Sequence, residues 1–140
     1  MILRRKQIWL VTMLTIAAAS VYASSNHPPE RSRIAFSHAL PQLDGGHLEA
    51  KIVEVYYGPG ESSPPHSHPC PVLGYVLEGA VRMQVKGEPE AIYTVGQSFY
   101  EAPNGTHQIS ANASQEKPAR FLAYFVCDHE TPLTTHPEGK

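Results

Sequence analysis

Clustered positive charge is what this 140-residue chain most plainly lacks. Its 11 Lys and Arg residues stand against 13 Asp and Glu, and beyond Arg4-Arg5-Lys6 the basic residues are scattered. A nucleic-acid binder concentrates positive charge on one face, and a membrane-surface binder needs a basic patch. Neither class fits. Sustained helical periodicity is missing beyond the N-terminal two dozen residues, and with it the ground for a helical domain. Cysteine is sparse. Cys70 and Cys127 are too few for a disulfide scaffold. They are either bridged or separately buried as small hydrophobes, and spacing does not choose between these.

No apolar run is long enough for a comfortable membrane span. The longest, Ile8 to Ala19, follows the basic Arg4-Arg5-Lys6 and precedes the small-residue site Val21-Tyr22-Ala23. That order reads as a secretory signal peptide over 1–23, cleaved after Ala23, and places the protein in the periplasm or outside the cell. Cleavage leaves 8 basic against 13 acidic residues and a formal charge of −5. No membrane association is expected after it. Residues 24–33 are polar and carry Pro28 and Pro29, the composition of a flexible lead-in.

What is present is a succession of short strands. Leu48 to Tyr57 is rich in β-branched and aromatic residues and ends at Gly58-Pro59-Gly60. Val72 to Glu78 and Ala80 to Val85 flank Gly79. In the second of these, Val81, Met83 and Val85 alternate with Arg82, Gln84 and Lys86, the pattern of a half-buried strand. Ala91 to Val95, Ser98 to Glu101, His107 to Asn112 and Arg120 to Val126 follow. Regular short strands with Gly and Pro between them predict an all-β sandwich or small barrel over 34–127. The stretch 128–140 is polar and Pro-containing, a tail expected to pack loosely.

The chemistry concentrates in three histidines. His66 and His68 are separated by one residue, so on a strand both rings face one side. His107 lies on a later strand and can complete a facial set for a divalent metal. Glu101, at a strand end before Ala102-Pro103, is weighed as a hydrogen-bond acceptor for a histidine and read rather as a solvated carboxylate. His27, His38, His47, His129 and His136 are read as solvent-exposed.

Two spacings carry a resemblance. Gly60-x5-His66-x-His68-x3-Val72-x6-Gly79 and Gly96-x10-His107 resemble the two motifs of the cupin superfamily, with sixteen residues between Gly79 and Gly96. Within that superfamily the chain is similar to the small single-domain bacterial cupins of type-2 kind. The resemblance implies a cupin-type jelly-roll β-barrel with His66, His68 and His107 projecting inside. It also implies one divalent cation (Fe, Mn, Zn, Ni or Cu), a small organic ligand or substrate, and pairing as a homodimer. Several departures stand out. Val72 occupies the position of the usual first-motif Glu, Gln97 that of a frequent Asp, and Asn104 that of a Gly. Asn112 lies five rather than four residues after His107. Asn104 tolerates positive φ and can stand in for the glycine. Without the Glu no general base is evident, which favours dioxygenase-like chemistry over isomerisation. A second reading is a non-catalytic module that binds a small ligand or a metal.

Overall fold

The computed structural model describes residues 32–136. The leader read over 1–23 lies outside the described residues, as does most of the lead-in. Eight strands follow a single 3₁₀ turn at Gly45–His47: β1 (Glu49–Tyr57), β2 (His66–Ser67), β3 (Val72–Glu78), β4 (Ala80–Val85), β5 (Ala91–Thr94), β6 (Ser98–Glu101), β7 (Thr106–Asn112) and β8 (Ala119–Cys127). They form two four-stranded sheets, in the orders β1-β8-β3-β6 and β2-β7-β4-β5, and every strand pairing is antiparallel.

The all-β expectation holds, but the closed jelly-roll β-barrel does not. The two sheets face each other as a sandwich, and no strand ladder joins the edge of one to the edge of the other. The physical reason lies in the second sheet's edges. β2 is only two residues long, boxed in by Pro64-Pro65 before it and Pro69 and Pro71 after it. Proline donates no backbone N–H, so a strand cannot be extended through such a run. At the other edge β5 has four residues and follows Pro89.

Period-2 burial builds the core. In β8, Ala119, Phe121, Ala123, Phe125 and Cys127 turn inward; in β3, Val72, Gly74 and Val76 do. These meet Val81 and Met83 from β4 and Phe99 from β6. Burying each of the large apolar side chains contributes about 2 kcal/mol. Gly74 is required by close approach, since a Cβ there would run into the ring of Phe99. The outer face of the first sheet leaves Ile52 and Tyr56 exposed and carries the ion pairs of Arg120 with Glu54 and Glu78.

Cys70 and Cys127 are joined in a disulfide, with Cα atoms 5.1 Å apart. This resolves the alternative that sequence left open. It ties the segment before β3 to the end of β8. The stretch beyond β8 does not pack as loosely as its composition suggests. It turns back so that Thr135 pairs with Ser67 through two backbone hydrogen bonds of 2.8 and 2.9 Å.

Candidate ligand site

The ladder between β2 and β7 sets His66 directly opposite His107. Their rings stack with centroids 5.2 Å apart. His68, just past the end of β2, lies 4.9 Å from His66 and 6.0 Å from His107, centroid to centroid. The three candidate residues therefore share one wall of the space between the sheets. Two local features put them there. The first is a β-bulge: Gln84 opposes Ile109 while Val85 opposes His107, so β7 carries an extra residue at Gln108. The bulge changes the phase of the strand and lets His107 and Ser110 line the same cavity. It also accounts for Asn112 falling five residues after His107. The second is the turn after β6, where Asn104 adopts φ 64° and donates its N–H to the carbonyl of His68 at 2.7 Å. The asparagine does replace the glycine in the left-handed region.

Glu101 corrects the solvated reading. It is 7% exposed, and its Oε2 lies 2.9 Å from His107 Nε2 and 3.7 Å from His68 Nε2. On β6 it follows Phe99 by two residues, so a strand that buries the ring also turns the carboxylate inward. That alternation was the signal available in the sequence. The residue directly across the ladder from Glu101 is Val72. The carboxylate absent at position 72 thus reaches the histidines from the neighbouring strand.

The expected three-histidine metal centre is not formed. Among the described residues, no group of three or more His, Cys, Asp and Glu side chains is arranged to hold a metal ion. A ligand set must aim its lone pairs at one common point. No such convergence is present among the described residues. The divalent cation (Fe, Mn, Zn, Ni or Cu), and the metal-dependent dioxygenase chemistry built on it, fall with that geometry.

What the cluster presents instead is buried hydrogen-bonding capacity. His66 Nδ1 lies 2.8 Å from the carbonyl of Pro64, and His68 Nδ1 lies 2.7 Å from that of Leu133. In the neutral rings Nδ1 donates to these carbonyls, which leaves each Nε2 as an acceptor. Burial pushes the His66 imidazolium below the usual histidine range; the hydrogen bond to Pro64 opposes this, and His68 and His107 add to it. His107 is 2% exposed. Its approach to Glu101 lacks hydrogen-bond alignment, so both its ring nitrogens and Glu101 Oε2 have no hydrogen-bond partner among the described residues.

This cluster lies at one end of a cavity of about 280 Å³. Val53, Val55, Phe121, Ala123 and Phe125 supply its apolar walls. Tyr57, Ser63 and Ser110 line it too, with Tyr57 OH 2.6 Å from Ser63 Oγ and 2.9 Å from Ser110 Oγ. Leu133, Thr134 and His136, from the returning C-terminal segment, cover the mouth. His136, read as simply exposed, therefore also borders the site. Nothing in the composition of that segment signals the role.

Known proteins agree with this architecture. Residues 53–125 match the cupin domain family, just over half of the chain. Among solved structures, the DMSP lyase DddQ from Ruegeria pomeroyi superposes with a TM-score of 0.54 at 25% identity, over 67% of this chain and 46% of the lyase. The polyketide cyclase RemF from Streptomyces resistomycificus gives 0.52 at 24% identity, over 65% of this chain and 61% of the cyclase. A cupin-family protein with a double-stranded β-helix fold from Methanocaldococcus jannaschii gives 0.52 at 16% identity, over 56% of this chain and 71% of that protein. The chain spans less than two thirds of the lyase and of the cyclase. A search of curated proteins finds no match.

Proposed function

This chain belongs to the cupin superfamily, and on that premise we propose that it is a non-catalytic module that binds a small organic molecule between its two sheets. The observation that carries the reading is the cavity of about 280 Å³ with apolar walls and a polar end where Glu101 Oε2 and both His107 ring nitrogens have no hydrogen-bond partner among the described residues. A buried polar group without a partner costs about 1–3 kcal/mol, so a ligand that supplies the missing bonds gains by it. The volume suits a molecule of on the order of ten non-hydrogen atoms. The lyase that superposes on the chain is named for acting on a small molecule, DMSP.

Within the superfamily we place the chain with small single-domain bacterial cupins of type-2 kind that lack the first-motif Glu, the departure being Val72. We also propose export after cleavage at Ala23, which the disulfide between Cys70 and Cys127 supports, since such bonds persist in oxidising compartments. Pairing as a homodimer is the further proposal, supported by exposed Ile52, Tyr56 and Tyr124 on the outer face of the first sheet. Light scattering tests the dimer, and N-terminal sequencing of exported protein tests the leader, with Ser24 expected first. Ligand binding is tested by a thermal-shift screen of small amphipathic fragments. Hits should fail to stabilise an Ala123→Leu variant whose larger side chain fills the cavity. A screen without hits, or hits insensitive to that filling, would refute the reading.

A further inference from the structure

We infer that the pocket selects a small organic cation, with a primary ammonium group held at Glu101, His66 and His68 and an apolar body against Phe121 and Phe125. The inference rests on the binding reading above and adds the chemical class of the ligand.

It follows from an inventory of donors and acceptors. A carboxylate offers Glu101 Oε2 as an acceptor, buried and 2.9 Å from His107 Nε2 but out of hydrogen-bond alignment with it. His66 and His68 each have Nδ1 committed to a backbone carbonyl, which in a neutral ring leaves Nε2 as an acceptor. His107 adds one donor and one acceptor, both unpartnered. The polar end therefore holds four acceptors against a single donor. Glu101 Oε2 and His68 Nε2 face one another at 3.7 Å, two acceptors with no hydrogen bond between them. A ligand with several donors and no acceptor matches this deficit, and an ammonium group has three donors and none of the other kind.

Charge points the same way. No Lys or Arg lines the cavity, whose residues are all within the described part of the chain, and Glu101 is its only carboxylate. An anionic ligand would enter a site with no permanent positive partner and one negative neighbour. Apolar aromatic surface adjoins the cluster directly: the rings of Phe125 and His68 lie 5.1 Å apart at an interplanar angle of 82°. Phe121, Val53 and Val55 then take the apolar remainder of the ligand.

The test is calorimetric titration of the chelator-treated protein with phenethylamine, phenethyl alcohol and phenylacetate, which share one apolar body. It is run above the histidine titration range. The amine should bind at least about tenfold more tightly than the alcohol, the effect of one charge-assisted hydrogen bond, and phenylacetate more weakly than either. Glu101→Gln should bring amine and alcohol to within about threefold of each other; Glu78→Gln, on the outer face, should leave the preference intact. The wild-type series decides the matter even where a variant folds poorly. Equal or tighter binding of the alcohol or of phenylacetate would overturn the cation inference and leave the small-ligand reading standing. Binding of none of the three overturns the inference as well, and the fragment screen above then shows separately whether the broader reading falls with it.

Discussion

Removing the disulfide should cost the protein a large share of its stability and loosen the cover of its pocket. Cys70 and Cys127 are 57 residues apart in sequence, and the bond restricts a loop of that length in the unfolded chain. Chain-entropy reasoning assigns such a loop about 4 kcal/mol. Domains of this size are stable by about 5–15 kcal/mol, so the double variant Cys70→Ala/Cys127→Ala should fold with little to spare. In urea, the midpoint should fall by roughly 2 M for a slope near 2 kcal/mol per molar. The local effect follows from position. Cys127 ends β8, and the segment after it runs to Leu133 and Thr135, where it meets His68 and Ser67. Freed at its root, that segment should exchange its amide protons faster than the core of β8 does. The assays are urea denaturation followed by tyrosine fluorescence and hydrogen exchange read by mass spectrometry, each with and without reductant. A stability loss below about 1 kcal/mol, or unchanged protection of Leu133 to Thr135, would refute the reasoning.

Three further outcomes are expected. Gly74→Ala should destabilise by about 3 kcal/mol or prevent folding, because the new methyl meets the ring of Phe99 between packed sheets; thermal melting checks it. Asn112→Ala should cost about 2–4 kcal/mol, measured by denaturant titration. Its Nδ2 donates to the carbonyls of Gly58 at 2.8 Å and Lys117 at 2.7 Å, its Oδ1 accepts from the Ser114 amide at 2.9 Å, and its loss leaves these groups unpaired. Stability should also decline on acidification. His66 has a folded pKa below its value of 6.5 in the open chain, so above that pH both states are neutral and nothing changes. Below it the unfolded chain takes up a proton that folded His66 declines, and stability falls until the folded pKa is passed. His66→Gln should remove part of that decline in a pH series of melting curves, and an identical pH profile for the variant would contradict the assignment.

Much of the fold was legible because period-2 alternation reports on faces. Val81 and Met83 against Arg82 and Gln84 mark β4, and Gly79 and Gly96 mark turns that take positive φ. Closure was not legible, because it depends on whether edge strands can exchange hydrogen bonds across a gap. The prolines around β2 forbid the extension that closure needs, and a two-residue strand leaves almost no periodicity to read. The spacing of His66, His68 and His107 did place three rings on one wall. It carried no information on where their nitrogens point, which the carbonyls of Pro64 and Leu133 decide. Residue type misled at Glu101, since carboxylates at strand ends are usually solvated. Its two-residue offset from Phe99 was the better guide. The capping by Leu133 arises from contacts 65 residues apart in sequence, between His68 and the returning segment, and local composition does not report such contacts.

The most direct measurement is a heteronuclear NMR titration of protein carrying labelled methyl groups and histidine rings with a fragment that stabilises it. Shifts should concentrate on the methyls of Val53, Val55 and Leu133 and the rings of His66, His68 and His107, and should vanish in Ala123→Leu. Shifts confined to the outer face around Ile52 and Tyr124, with the histidine rings unmoved at saturation, would contradict a ligand site between the sheets.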